Sequence, residues 1–121
     1  MAYVSKQDKA ELAPAIKAVL NKYNIKGTIA VRNHSTLVVN IKQGAIDFED
    51  YSHGNGYIQV NTYHIDTNYK GVARDFLNEL KAAMEGPSFY NNDDTMTDYF
   101  NRSHYVDINI GQWNKPYALA A

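Results

Sequence analysis

The strictest constraint on this chain is the segment Tyr105-Val106-Asp107-Ile108-Asn109-Ile110. Val106, Ile108 and Ile110 alternate with Tyr105, Asp107 and Asn109. A period of two sends successive side chains to opposite faces of a strand, so one face enters a core and the other meets water. The wet face is built of Tyr, Asp and Asn. Ten tyrosines occur among 121 residues, many in strand-like segments beside Asn, Asp and His. Tyr offers rigid contact area and a hydrogen bond at low entropic cost, so such a face suits recognition better than catalysis.

The same alternation predicts an antiparallel hairpin upstream. Ile29 and Val31 share one side of Thr28–Arg32, and Leu37, Val39 and Ile41 share one side of Thr36–Ile41. Asn33-His34 between them suits a tight turn, because Asn tolerates positive φ. Tyr57–Asn61 reads as a third strand, after a loop from Gln43 to Gly56. A last hairpin is expected to join Met96–Phe100 to His104–Ile110, with Trp113 and Tyr117 in a terminal coil.

Two segments carry a helical stripe. Ser5-Lys6-Gln7-Asp8 resembles a capping box, with Asp for the usual Glu. Leu12, Ile16, Val19, Leu20 and Tyr23 then recur at helical spacing over about Asp8–Tyr23. Pro14 should make this helix irregular, and Asn24 and Gly27 offer a stop. The second helix spans about Lys70–Glu85, with Val72, Phe76, Leu77, Leu80 and Met84 inward and Gly86-Pro87 ending it.

These elements predict one α+β domain over residues 1–121: an antiparallel sheet of four or five strands, in αββ-β-αββ order, with both helices on one face. Val39-Asn40-Ile41 echoes Ile108-Asn109-Ile110, which hints at duplication. The uncovered face would show Thr28, Ala30, Arg32, Thr36, Val38, Asn40, Tyr57, Gln59, Asn61, Tyr105, Asp107 and Asn109. We take Arg32, Asn40, Tyr57, Asn61, Tyr105 and Asn109 as the candidate partner-binding residues.

Composition narrows the chemistry. A formal net charge of −1 argues against binding by phosphate neutralisation. The absence of cysteine excludes disulfides, thiolate catalysis and Cys-based metal sites. No apolar run has the length of a membrane span, and the N-terminus has no signal-peptide core. A soluble, cytoplasmic protein is therefore expected.

His34, His53, His64 and His104 form no spaced ligand motif, although His34 and His104 end two expected hairpins and could be neighbours. The bland reading makes them turn residues, and His64 a packed loop residue. Asp93, Asp94 and Asp98 match no calcium loop, and Asp47, Glu49 and Asp50 read as a solvated acidic loop. There is no glycine-rich phosphate loop and no Gly-x-Ser-x-Gly elbow. The expectation is a non-enzyme without metal or cofactor. Tyr57 and Tyr105 could instead stack bases, giving a nucleotide or single-stranded nucleic-acid module, but Arg32 and Arg102 are nearly alone as cations there. A small hydrolase or nuclease using His34, His104 and carboxylates is a third reading with no motif behind it.

Lys26–Ile41, Asp98-Tyr99-Phe100, His104–Gly111 and Trp113–Tyr117 together resemble a family of small uncharacterised proteins of tailed bacteriophages. The chain is also similar to domains of large polyvalent proteins from phages and conjugative elements. The resemblance covers most of the chain and carries no catalytic residues over. It implies a phage accessory protein in the cytoplasm of an infected bacterium. In that setting a small non-enzymatic protein would bind and inhibit or redirect a host protein, one of defence among the candidates, with self-association into a homodimer as the rival use of the same face.

Overall fold

The computed structural model describes residues 4–48, 57–86, 104–111 and 117–119. The expected strand Met96–Phe100, its turn, His53, Asp93, Asp94, Asp98 and Trp113 lie outside them.

Helix α1 runs Lys6–Lys22 and starts where the sequence says it should. The Asp8 amide donates to Ser5 Oγ and the Ser5 amide to Asp8 Oδ2, both at 3.0 Å. This reciprocal pair satisfies two N–H groups that helix geometry leaves without partners. Pro14 stays inside the helix and is exposed, so water can reach the backbone carbonyl that its missing N–H leaves unbonded. Asn24 then turns the chain with φ 55°, which Asn tolerates better than most residues.

Strand β1 (Ile25–Arg32) and strand β2 (Thr36–Gly44) form the expected antiparallel hairpin. Asn33 and His34 have φ 55° and 58°, and the Ser35 amide closes the turn on Arg32 O at 3.3 Å. Gly27 does not stop the helix, as its identity suggested. It lies in β1 at a bulge, where the register shifts between Lys26 and Gly27. A Cβ there would meet Asn40 O at 2.7 Å, so the close approach of two backbones requires glycine.

Strand β3 is Ile58–Val60, helix α2 Ile65–Asn68, helix α3 Gly71–Glu85, strand β4 Tyr105–Ile110 and strand β5 Ala118–Leu119. The sheet order is β1-β2-β4-β3, with β5 also beside β2. This is the expected α+β class, with a mixed sheet. The pairs β1–β2 and β3–β4 are antiparallel, whereas the central pair β2–β4 is parallel. Between β2 and β4 the chain passes through β3 and α3, so β4 re-enters at the centre in the direction of β2. The echoed triplets meet there: Val39, Asn40 and Ile41 pair with Ile108, Asn109 and Ile110. The tail is not only coil, because β5 pairs Ala118 with Gln43 and Leu119 with Gly44.

One core holds the layers together. Leu37, Val39, Ile41, Ile108 and Ile110 from the sheet meet Ile16 and Leu20 of α1 and Phe76, Leu77, Leu80 and Met84 of α3. Ile29, Val31, Val19 and Val106 pack at its margin. Each fully buried Leu, Ile or Phe contributes about 1.5–3 kcal/mol relative to exposure. The α3 stripe is the one read in the sequence at Phe76, Leu77, Leu80 and Met84, but at its start Ala73 is buried and Val72 is 55 % exposed. Ile46 and Phe48, placed in a loop by their context, are also buried.

Aromatic rings seal the end of this core. Tyr117 meets Phe48 edge-on at 5.3 Å, Phe48 lies 6.3 Å from Phe76, and Phe76 lies 5.3 Å from Tyr23. The Tyr117 hydroxyl donates to Ile46 O at 2.7 Å. Burial, with the charge of Asp47 behind it, pushes its pKa up to about 12. Glu79 of α3 accepts from Lys22 Nζ at 2.7 Å and from the Tyr23 hydroxyl, tying α3 to the end of α1. The Lys22 hydrogen bond first, and the Tyr23 one second, hold the Glu79 carboxyl below the usual carboxylate range.

The Gly27→Ala variant tests the bulge. It should lose about 1–3 kcal/mol, because backbone atoms cannot yield as a flexible side chain would. Urea denaturation should show a lower midpoint with an unchanged slope; an unshifted midpoint would contradict the close approach.

Candidate recognition face

Helices α1 and α3 cover one side of the sheet. The alternation read from Tyr105–Ile110 places the even-numbered residues of β1 from Thr28 to Arg32 and of β2 from Thr36 to Asn40, and the odd-numbered residues of β4, on the other side. The register arranges them in rows. Arg32, Thr36 and Tyr105 form one row, followed by Ala30, Val38 and Asp107, then by Thr28, Asn40, Asn109 and Gln59.

An ion pair links the first row to the second. Arg32 Nη2 donates to Asp107 Oδ2 at 2.8 Å. The two residues belong to β1 and β4, so the ion pair bridges over β2 between Thr36 and Val38. Val38 is only 5 % exposed, although it points away from the core. The Arg32 side chain remains 55 % exposed and the Asp107 side chain only 13 %. Asp107 thus anchors the guanidinium from below, and the remaining Arg32 donors stay available.

The third row is an amide ladder. Asn109 Nδ2 donates to Asn40 Oδ1 at 3.1 Å, and both residues are half-buried. Each amide keeps further donor or acceptor capacity beyond that bond.

The tyrosines sit at opposite corners. Tyr105 is 37 % exposed beside Thr36, and its amide donates to Ser35 O at 2.9 Å. Tyr57 is 43 % exposed and precedes Ile58, the partner of Ile110. Six residues of β4 and its end separate the two levels, roughly 20 Å at about 3.3 Å per residue. Asn61 serves its own turn: its Oδ1 accepts from the Tyr63 amide at 3.0 Å. So Arg32 and Tyr105 share a row, Asn40 and Asn109 form a bonded pair, and Tyr57 and Asn61 lie apart from both groups.

Asp107 is the residue that sequence reading undervalued. It was placed on this face but not among the binding residues, since only the sheet register reveals that Arg32 is its partner. Lys42, which the register passes over at the bulge, is exposed.

The histidines divide by environment. His34 is exposed in the hairpin turn. His104 is 7 % exposed, and its Nε2 lies 2.8 Å from Met84 O. A carbonyl accepts only, so that nitrogen carries a proton and serves the end of α3. His64 was expected to pack in a loop; it is exposed, at the N-terminal cap of α2. Among the described residues no group of three or more His, Asp or Glu is placed to hold a metal. No helix among them is long and apolar enough to cross a membrane.

Comparison of the chain with protein-family models, with curated proteins and with solved structures finds no match in any of the three. Function must therefore be argued from the face itself.

A double-mutant cycle of Arg32→Ala and Asp107→Ala checks the bridge. An ion pair with one exposed partner should show a stability coupling of up to about 1 kcal/mol at low salt, reduced at high salt. Zero coupling at low salt would contradict the geometry.

Proposed function

We propose that this chain is a non-enzymatic binding module whose open sheet face docks on another protein. In the phage setting that the sequence resemblance implies, the partner is a bacterial host protein, which the chain inhibits or redirects. One observation supports the proposal: an exposed Tyr105 in the same row as an anchored Arg32, with Thr36 between them, on a sheet face that α1 and α3 leave uncovered. Tyr and Arg concentrate binding energy when a partner removes water from them. An Arg held by a half-hidden Asp loses less side-chain freedom on docking than a free one would.

The same ion pair weighs against a phosphate ligand. Asp107 neutralises Arg32 on the face, and a nucleic-acid strand would meet that carboxylate as well as the guanidinium. A protein surface carrying both hydrogen-bond donors and acceptors fits the amide ladder and the ion pair together.

Tyr105→Ala and Tyr57→Ala test the face separately and combined. A pull-down from bacterial lysate with mass spectrometry first supplies the partner. Tyr105→Ala should then weaken binding roughly 30-fold, the size of a 2 kcal/mol hot spot, and Tyr57→Ala less. Unchanged affinity in a folded double variant would refute docking through this face. Loss of a dimeric mass without loss of partner binding would reassign the face to self-association.

A further inference from the structure

We propose that the bonded pair Asn40–Asn109, at the centre of the open face, takes a main-chain peptide group of the partner protein. This rests on the reading of that face as a protein-docking surface, and adds what its centre selects.

The bond itself sets the chemistry. Asn109 Nδ2 donates to Asn40 Oδ1 at 3.1 Å. A carboxamide has two N–H donors and a carbonyl that can accept twice. A single bond between two such groups therefore leaves Asn40 with both its N–H groups and Asn109 with its whole carbonyl. Turning both amides over exchanges the roles and leaves the same result, one donor side and one acceptor side. Among the described residues, neither amide side chain makes a further hydrogen bond.

The surroundings are neutral and low. The pair stands between Thr28 and Gln59, both exposed, in the row that crosses β1, β2, β4 and β3. No charged side chain belongs to that row. Asp107, the next residue of β4 on this face, is bonded to Arg32. Thr28, Ala30 and Val38 beside the pair have short side chains, so a partner's main chain can reach it.

Docking removes water from these half-buried amides, and any donor or acceptor left without a replacement then weakens binding. A carboxylate offers acceptors alone and leaves the Asn109 carbonyl unmatched. An ammonium or guanidinium offers donors alone and leaves the Asn40 N–H groups unmatched. A peptide group has one N–H and one C=O and matches both sides. The edge of a nucleobase can do the same, but its strand would bring phosphates over a face whose Arg32 is already paired with Asp107.

The probe is the host protein recovered by the pull-down, with affinity measured near pH 7 and near pH 4. The Asn40→Asp variant still accepts the Asn109 bond, so it should stay folded, but it has no N–H to offer. Its affinity should fall roughly tenfold or more at pH 7. The neutral Asn40→Leu variant should lose at least as much. Near pH 4, the usual range of an Asp carboxyl, protonation gives Asn40→Asp an O–H donor. Its deficit relative to the unmodified protein should then shrink, while that of Asn40→Leu should not. Tyr105→Ala separates this inference from the reading beneath it. Recovery of no stoichiometric host protein, or undiminished binding by Tyr105→Ala and Tyr57→Ala combined, would remove the reading and this inference together. Weakened binding by Tyr105→Ala with unchanged binding by Asn40→Asp would overturn the peptide assignment alone. So would a loss in Asn40→Asp without one in Asn40→Leu, since charge would then be the cause. Capture abolished by nuclease treatment would give the row to a nucleobase and overturn the peptide assignment as well.

Discussion

The parallel pairing of β2 with β4 is the contact on which the rest of the structure depends. It joins an N-terminal hairpin to a strand more than sixty residues further along the chain, with Val39 opposite Ile108 and Ile41 opposite Ile110. A one-residue slip would turn every apolar side chain of β4 out of the core. The pairing is held by burial on one side and by the Asn40–Asn109 bond on the other. Helix α3 packs over it, with Phe76, Leu77 and Leu80 fully buried. Because the contact is so distant in sequence, closing it costs chain entropy that only the assembled core repays.

The open face is a by-product of this register. Both longer helices lie on one side, and among the described residues no helix covers the other. A face meant only for water could carry Lys and Glu throughout. This one carries an ion pair spanning three strands, an amide pair at its centre and tyrosines at two corners. The ion pair has two effects at once. It bridges over β2 beside the buried Val38, and it fixes the direction in which Arg32 presents its remaining donors. The ion pair thus follows from strand order: neither Arg32 nor Asp107 has meaning for the other until β4 is placed beside β2.

What was legible in the sequence was local or periodic. The Ser5–Asp8 capping box, the Asn33-His34 turn and the alternation in β1, β2 and β4 each depend on residues a few positions apart, and each is present. The set of face residues followed from the same alternation. What was not legible needs distant neighbours. Gly27 looked like a helix stop, because nothing nearby reveals that Asn40 O lies against it. Val72 looked apolar enough to be buried, but the angle at which α3 meets the sheet chooses Ala73. The parallel direction of β4 is set by the path through β3 and α3, which periodicity does not encode. For the binding residues, alternation selected the side, and only the register separated the Arg32–Tyr105 end from Tyr57 and showed Asn61 serving its own turn.

The central claim, that β2 and β4 lie parallel and in this register, can be tested by a single cross-link. The chain has no cysteine of its own, so introduced thiols report without background. Asn40 and Asn109 are opposite each other on adjacent strands, with Cα atoms about 5 Å apart as in any paired strands, within the roughly 4.4–6.8 Å a disulfide spans. The Asn40→Cys/Asn109→Cys variant should oxidise to an intramolecular disulfide under mild conditions, seen by peptide mass mapping. The Asn40→Cys/Tyr105→Cys variant, displaced four residues along β4, should keep free thiols. Cross-linking of the second pair, or failure of the first in a folded protein, would contradict the account.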